Sequence, residues 1–228
     1  MTIWQEQMTR LRDQLVSMRA DQELFSETLS ALRRQEASVP VGPPSVWFRH
    51  YARLYVVAQA IGIRRVVVQQ RGSVALGGVL ADLVRHPEAL TIDVVRRQAQ
   101  QANADLEVSE RVVGAFQGEW FDAEGRLLVT KIQNDRQHLF LLVRGVKKWA
   151  DKVAAHIDPV EPPPVATFAD IHEAIAHTCE IFQNYSKLLS GGVWTEMLPI
   201  LPAGQEELVE SLTSALVRFR PAFNAFGR

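Results

Sequence analysis

A chain of 228 residues that is 47% apolar is long enough to bury a core and belongs to the globular class. Its 25 basic and 26 acidic residues leave a formal charge of −1, which excludes a surface that coats nucleic acid or anionic membrane by net charge alone. The single cysteine, Cys179, excludes an intrachain disulfide framework, and the N-terminus lacks the apolar core of a secretory signal, so a cytoplasmic protein is expected.

Trp4, Met8, Leu11, Leu15, Met18, Phe25, Leu29 and Leu32 recur at alternating four- and three-residue spacing, with polar Gln22 at the remaining position. This pattern predicts one long amphipathic helix whose seam needs a partner, either the rest of the chain or a second copy in a homodimer. The stretch "ASVPVGPPS" stops it, because its prolines cannot continue a helix. Residues 1–40 therefore read as a helix and linker, and residues 41–228 as the main helical bundle.

A second helix is expected from Val46 to about Gln70, with Gly72 as a stop. It is the longest apolar run, and its arginines and His50 mark it as a soluble helix and not a membrane span. Ser73 is placed to cap the next helix, which ends at His86-Pro87, and "LGGV" within it is a site of close helix packing. Thr91 caps a long polar helical run reaching Trp120. "FDAEGRLLVT" holds a turn at Asp122 to Gly125 and the one place for a short extended segment. Asn134 or Asp135 then opens a helix that carries "KKWADKVAAHID" and is closed by "DPVEPPP". Thr167 caps a further helix that ends at two glycines, and Leu208, Leu212, Ala215, Leu216 and Phe219 line one face of the last. The expected fold is all-α, a bundle of six or seven helices.

Phosphate-binding glycine loops, a nucleophile elbow and a metalloprotease motif do not occur. His172 and His177 are five residues apart and diverge on a helix, so no metal or other cofactor is expected, and Cys179 reads as a small core residue. Arginines are more informative. Arg49, Arg53, Arg64, Arg65 and Arg71 lie along an otherwise apolar helix, where guanidinium groups either snorkel to water or contact phosphate. In "KKWADKVAAHID", Lys152, Lys148 and Arg144 precede His156 by one, two and three helical turns. Such a ladder suits a phosphodiester, with the histidine moving a proton and the cations meeting developing negative charge. The plainer reading keeps His156 as a C-terminal residue that favours the helix dipole.

"AIGIRRVVVQQRGSVALGGVLADLVRHPEALT", "WADKVAAHIDP" and "TFADIHEAIAHTCEIFQNYSKLLSG" occur in that order within residues 46–190, and together they resemble the AbiU2-like group of HEPN-domain proteins. The resemblance implies an α-helical bundle that commonly dimerises, and a metal-independent endoribonuclease of a phage-defence, abortive-infection or toxin system. An antitoxin or another regulatory protein would be its partner. The shared signature is an arginine, a polar residue after it, and a histidine separated from the arginine by four to six residues. On this chain the histidine maps to His156 and the polar residue to Asp151, while the arginine should fall at Ala150, with Trp149 and Asp151 as the only other allowed spacings, and none of the three is arginine. A cation would then come from Lys152, Arg144, Lys148 or the Arg64-Arg65 pair. Two functions follow: an RNA-cutting effector that uses His156, Lys152 and Asp151, or a non-catalytic dimerisation and binding module built on the same polar cluster.

Overall fold

A computed structural model describes residues 3–38, 46–70, 72–102, 105–151 and 166–192, together with 207, 209–211 and 214. The last expected helix lies largely outside the described residues. So do Lys152 and His156.

The architecture is an all-α helical bundle: eight α-helices and one 3-10 turn are present among the described residues, and extended structure there is limited to isolated bridges. The first helix, α1 (Ile3–Ser38), buries its seam within the same chain. Leu11, Leu15 and Phe25 are fully enclosed, and α1 packs on α2 (Val46–Val67) and α8 (Phe168–Leu189). Phe25 stacks on Tyr55 of α2 with centroids 4.0 Å apart and lies 4.9 Å from Phe168 of α8, so one aromatic cluster joins three helices. Buried Gln59 donates to Asp21 across α1 and α2 at 3.3 Å, a polar contact that fixes the register of the pair. Trp4 Nε1 donates to Asp82 of α3 (Leu76–Arg85) at 2.8 Å, tying down the other end of α1.

Ser73 does not cap α3. Its hydroxyl donates to Gln70 O and accepts from Gln70 N, closing the turn after α2, and the N-cap position falls to Ala75. Gly77 is the close-packing residue: an added Cβ would sit 2.5 Å from Val67 O and 2.8 Å from Phe140. The polar run after Thr91 is two helices, α4 (Ile92–Ala102) and α5 (Leu106–Phe116). Thr91 Oγ1 accepts from Val94 N, whereas Asp105 caps the second helix by accepting from Glu107 N and Val108 N. Ser109 Oγ donates to Ala99 O, holding the two together.

Asp122 to Gly125 form the expected turn, in which the Asp122 carboxylate accepts from Glu124 N, Arg126 N and Arg126 Nε. Those backbone bonds, with the Arg126 charge, hold its carboxyl below the usual range. Isolated bridges join Phe121 to Gln117 and Leu127, and the chain passes directly from them into α6 (Val129–Leu142), ahead of the expected start. Asp135 is therefore no cap; it accepts from Tyr185 of α8 at 2.9 Å. The helix expected to run on to His156 breaks at Val143, restarts as α7 (Arg144–Trp149), and widens into a π-type turn at Ala150 and Asp151. α8 begins with a reciprocal Thr167 and Asp170 capping box. It ends in a Schellman motif in which Gly192 N donates to Lys187 O and Gly191 takes φ 69°. No helix among the described residues is long and apolar enough to cross a membrane.

Candidate functional site

The C-terminal turn of α2 and the end of α7 meet because both bury apolar faces in the same core. Ile63, Val66 and Val67 of α2 and Val146 and Trp149 of α7 are all buried. Arg64 and Asp151 sit at the margin of that contact, with side chains 31% and 34% exposed, and Arg64 Nε lies 2.5 Å from Asp151 Oδ1. The approach is an ion pair rather than an aligned hydrogen bond, so neither atom is satisfied by angle. On the other carboxylate oxygen, Lys147 Nζ donates to Asp151 Oδ2 at 2.6 Å. Two cations thus grip one carboxylate.

Partial burial pushes the Asp151 carboxyl up, but the Lys147 hydrogen bond and charge, followed by the close Arg64 guanidinium, outweigh it and hold the group below its usual range. Beyond Nε, the terminal nitrogens of Arg64 reach the side-chain oxygen of Gln70 at 2.7 and 3.0 Å once the Gln70 amide is oriented to accept. Ala150 is 2% exposed and faces the core, so a cation cannot project from that position. Arg64 reaches Asp151 from a different helix.

Of the sequence-predicted residues, Arg64 and Asp151 are brought together, while Arg65 and Lys148 are exposed near them in sequence. Arg144 and Lys148 of the expected cationic ladder both lie on α7, and its remaining members, Lys152 and His156, lie outside the described residues. Arg144 lines an open cleft of about 760 Å³ between α3 and α6, with Arg85 and Arg136. It lies seven positions before Asp151, about 10 Å at helical rise. Lys147 was not singled out in the sequence, although its i, i+4 spacing to Asp151 is a readable ion-pair signal. Gln70 carried no such signal.

Around His172 the structure builds a packing site. Its Nε2 is hydrogen-bonded with Tyr55 OH at 2.9 Å, and burial, then the Arg19 charge, lower its pKa. Cys179 is buried, and desolvation pushes its thiol up to about 11, away from thiolate chemistry. No group of three or more His, Cys, Asp or Glu side chains able to hold a metal ion occurs among the described residues. Comparison with family models, with curated proteins and with solved structures finds no match to this chain.

Proposed function

We propose that the chain is a HEPN-like protein of a phage-defence or toxin-type system that cuts RNA without a metal, with His156 as the proton-transfer group. The observation that carries this reading is the Arg64–Asp151 pair: a guanidinium from α2 stands beside the polar residue of the histidine motif, where Ala150 supplies none. His156 follows Asp151 by five positions. In this reading His156 takes the proton from a ribose 2′-hydroxyl as that oxygen attacks the adjacent phosphorus; the P–O5′ bond breaks, leaving a 2′,3′-cyclic phosphate, and the departing 5′-oxygen takes up a proton from water to leave as a hydroxyl. The Arg64 fork, with Lys152 and Lys147 as further cations, meets the charge that develops on the phosphate oxygens. Gln70 is exposed, so its amide can give way to a phosphate oxygen at the Arg64 fork. Arg65 and Lys148 extend the positive surface toward the flanking RNA backbone.

The α1 seam is filled by α2 and α8 of the same chain, so a homodimer would form through another face. An antitoxin or another regulatory protein would restrain the activity.

A second reading rests on the same pair seen from the carboxylate. Asp151 is neutralised on both oxygens, as in a clamp that sets the register of α2 against α7, and a non-catalytic binding or dimerisation module needs nothing more. The two are separated by incubating purified protein with mixed cellular RNA in excess chelator, beside His156→Ala. Cleavage that survives chelation and vanishes in the variant supports the nuclease. An intact pool with both proteins supports the clamp.

A further inference from the structure

We propose that the groove between α3 and α6, continued by Arg144 of α7, is a docking site for an acidic amphipathic helix of a partner protein. Its floor is apolar, made by Ala81 and Val84 of α3 and Phe140 and Leu141 of α6, and Leu141 is 56% exposed. Its rim is cationic. Arg85, Arg136 and Arg144 line the groove, and no carboxylate does so among the described residues. A large aliphatic side chain left open between guanidinium groups suits a ligand that brings both an apolar stripe and negative charge.

The three cations are not equivalent. Arg85 is paired with Asp82 at 3.1 Å, which spends part of its charge inside the protein. Arg136 donates through Nε to Gly77 O at 3.2 Å and lies over the Phe140 ring at 5.1 Å. It is therefore held in place before a ligand arrives, which lowers the ordering cost of binding. Arg144 is exposed at the end of the groove, where its guanidinium can meet an anion. Gln133 and Gln137, one turn apart on α6, add amides that can bond a polar flank of the ligand.

Shape and surface favour a helix over nucleic acid. Two packed helices form the walls, and the stretch from Gln133 to Leu141 rises roughly 12 Å, a little over two turns, with Arg144 beyond it. That span matches apolar anchors at i, i+3 or i+4, and i+7 on an incoming helix. A base would need an open aromatic face, and the one ring in the groove is already covered by Arg136. Docking here is independent of any nuclease chemistry, although the Arg144 end of the groove lies about 10 Å of helix rise from Asp151.

The test pans a displayed library of random peptides of roughly 16 residues, about four helical turns, against the full chain, and passes a random single-stranded RNA pool over it in parallel. Both arms are repeated with the variant Leu141→Asp/Arg144→Glu, whose two positions are exposed and whose fold is checked by circular dichroism. Arg144→Ala alone replaces it if the double variant melts early. The expected result is enrichment of peptides with apolar residues at helical spacing flanked by Glu or Asp, binding the variant about tenfold or more weaker, as when an anchor and a charge pair are lost together. Failure to enrich any peptide, enrichment of peptides without acidic residues, or equal binding to wild type and variant would overturn the proposal. RNA retention that the variant abolishes would overturn it in favour of a nucleic-acid groove.

Discussion

Arg64 Nε at the end of α2 lies 2.5 Å from Asp151 Oδ1 at the end of α7, and Lys147 holds the other oxygen of the same carboxylate at 2.6 Å. Because burial is outweighed by these cations, the carboxyl titrates below its ordinary value of 3.8 when folded. The stabilisation is complete above that unfolded value and is lost as pH falls through the folded one. Asp151→Asn should therefore remove part of the stability at neutral pH, about 1 kcal/mol for a pair this exposed. It should also flatten the acid limb below pH about 4. Urea unfolding across that range checks both; an unchanged acid limb in the variant would count against the ion-pair network.

Ala150 faces the core at 2% exposure, beside Trp149 at 4%. Placing an arginine there should destabilise the fold by roughly 3 kcal/mol or more, since a bulky charge would be forced into packed apolar surroundings. Thermal melting of Ala150→Arg reads this directly. A variant that melts like wild type would mean that the position opens to solvent.

The reach of sequence reasoning is visible in these elements. The α1 seam was legible because the residues that are buried repeat along one helix face, and the α8 caps because Thr167 and Gly191 each serve backbone groups close by. The split of α4 from α5 was hidden because Asp105 is one polar residue in a polar run, and only its hydrogen bonds mark it as a cap. The early start of α6 depends on bridges among Gln117, Phe121 and Leu127 that no local period announces. At the candidate site, Lys147 could have been found from its spacing to Asp151. The Arg64 contact could not, because it arises only when the apolar faces of α2 and α7 are packed.

Partial burial and then the Arg19 charge lower the pKa of His172, while its Nε2 pairs with Tyr55 OH. Its folded pKa lies below the ordinary 6.5, so the unfolded chain takes up the proton first and stability falls as pH drops below about 6.5. Proton NMR of the imidazole should show a midpoint below 6.5. A midpoint above that value would contradict the assigned environment.

Phe25 is fully buried and joins α1 to Tyr55 and Phe168. Phe25→Ala should cost about 3–5 kcal/mol, the usual range for an aromatic removed from a packed core. Denaturant unfolding measures the loss; one below about 1 kcal/mol, little more than a single methylene's burial, would show that α1 is not held by this cluster.

The most direct measurement of the central claim is the rate at which Arg64→Ala cuts a single RNA substrate in excess chelator, beside wild type and His156→Ala. If Arg64 supplies the cation that Ala150 lacks, wild type cuts, and both variants fall by about 100-fold or more, the usual scale for loss of a proton-transfer group or a charge-stabilising donor. Arg64→Ala cutting at the wild-type rate while His156→Ala is dead would contradict the role given to Arg64, and an intact substrate with wild type itself would leave the α2–α7 clamp as the function of the pair.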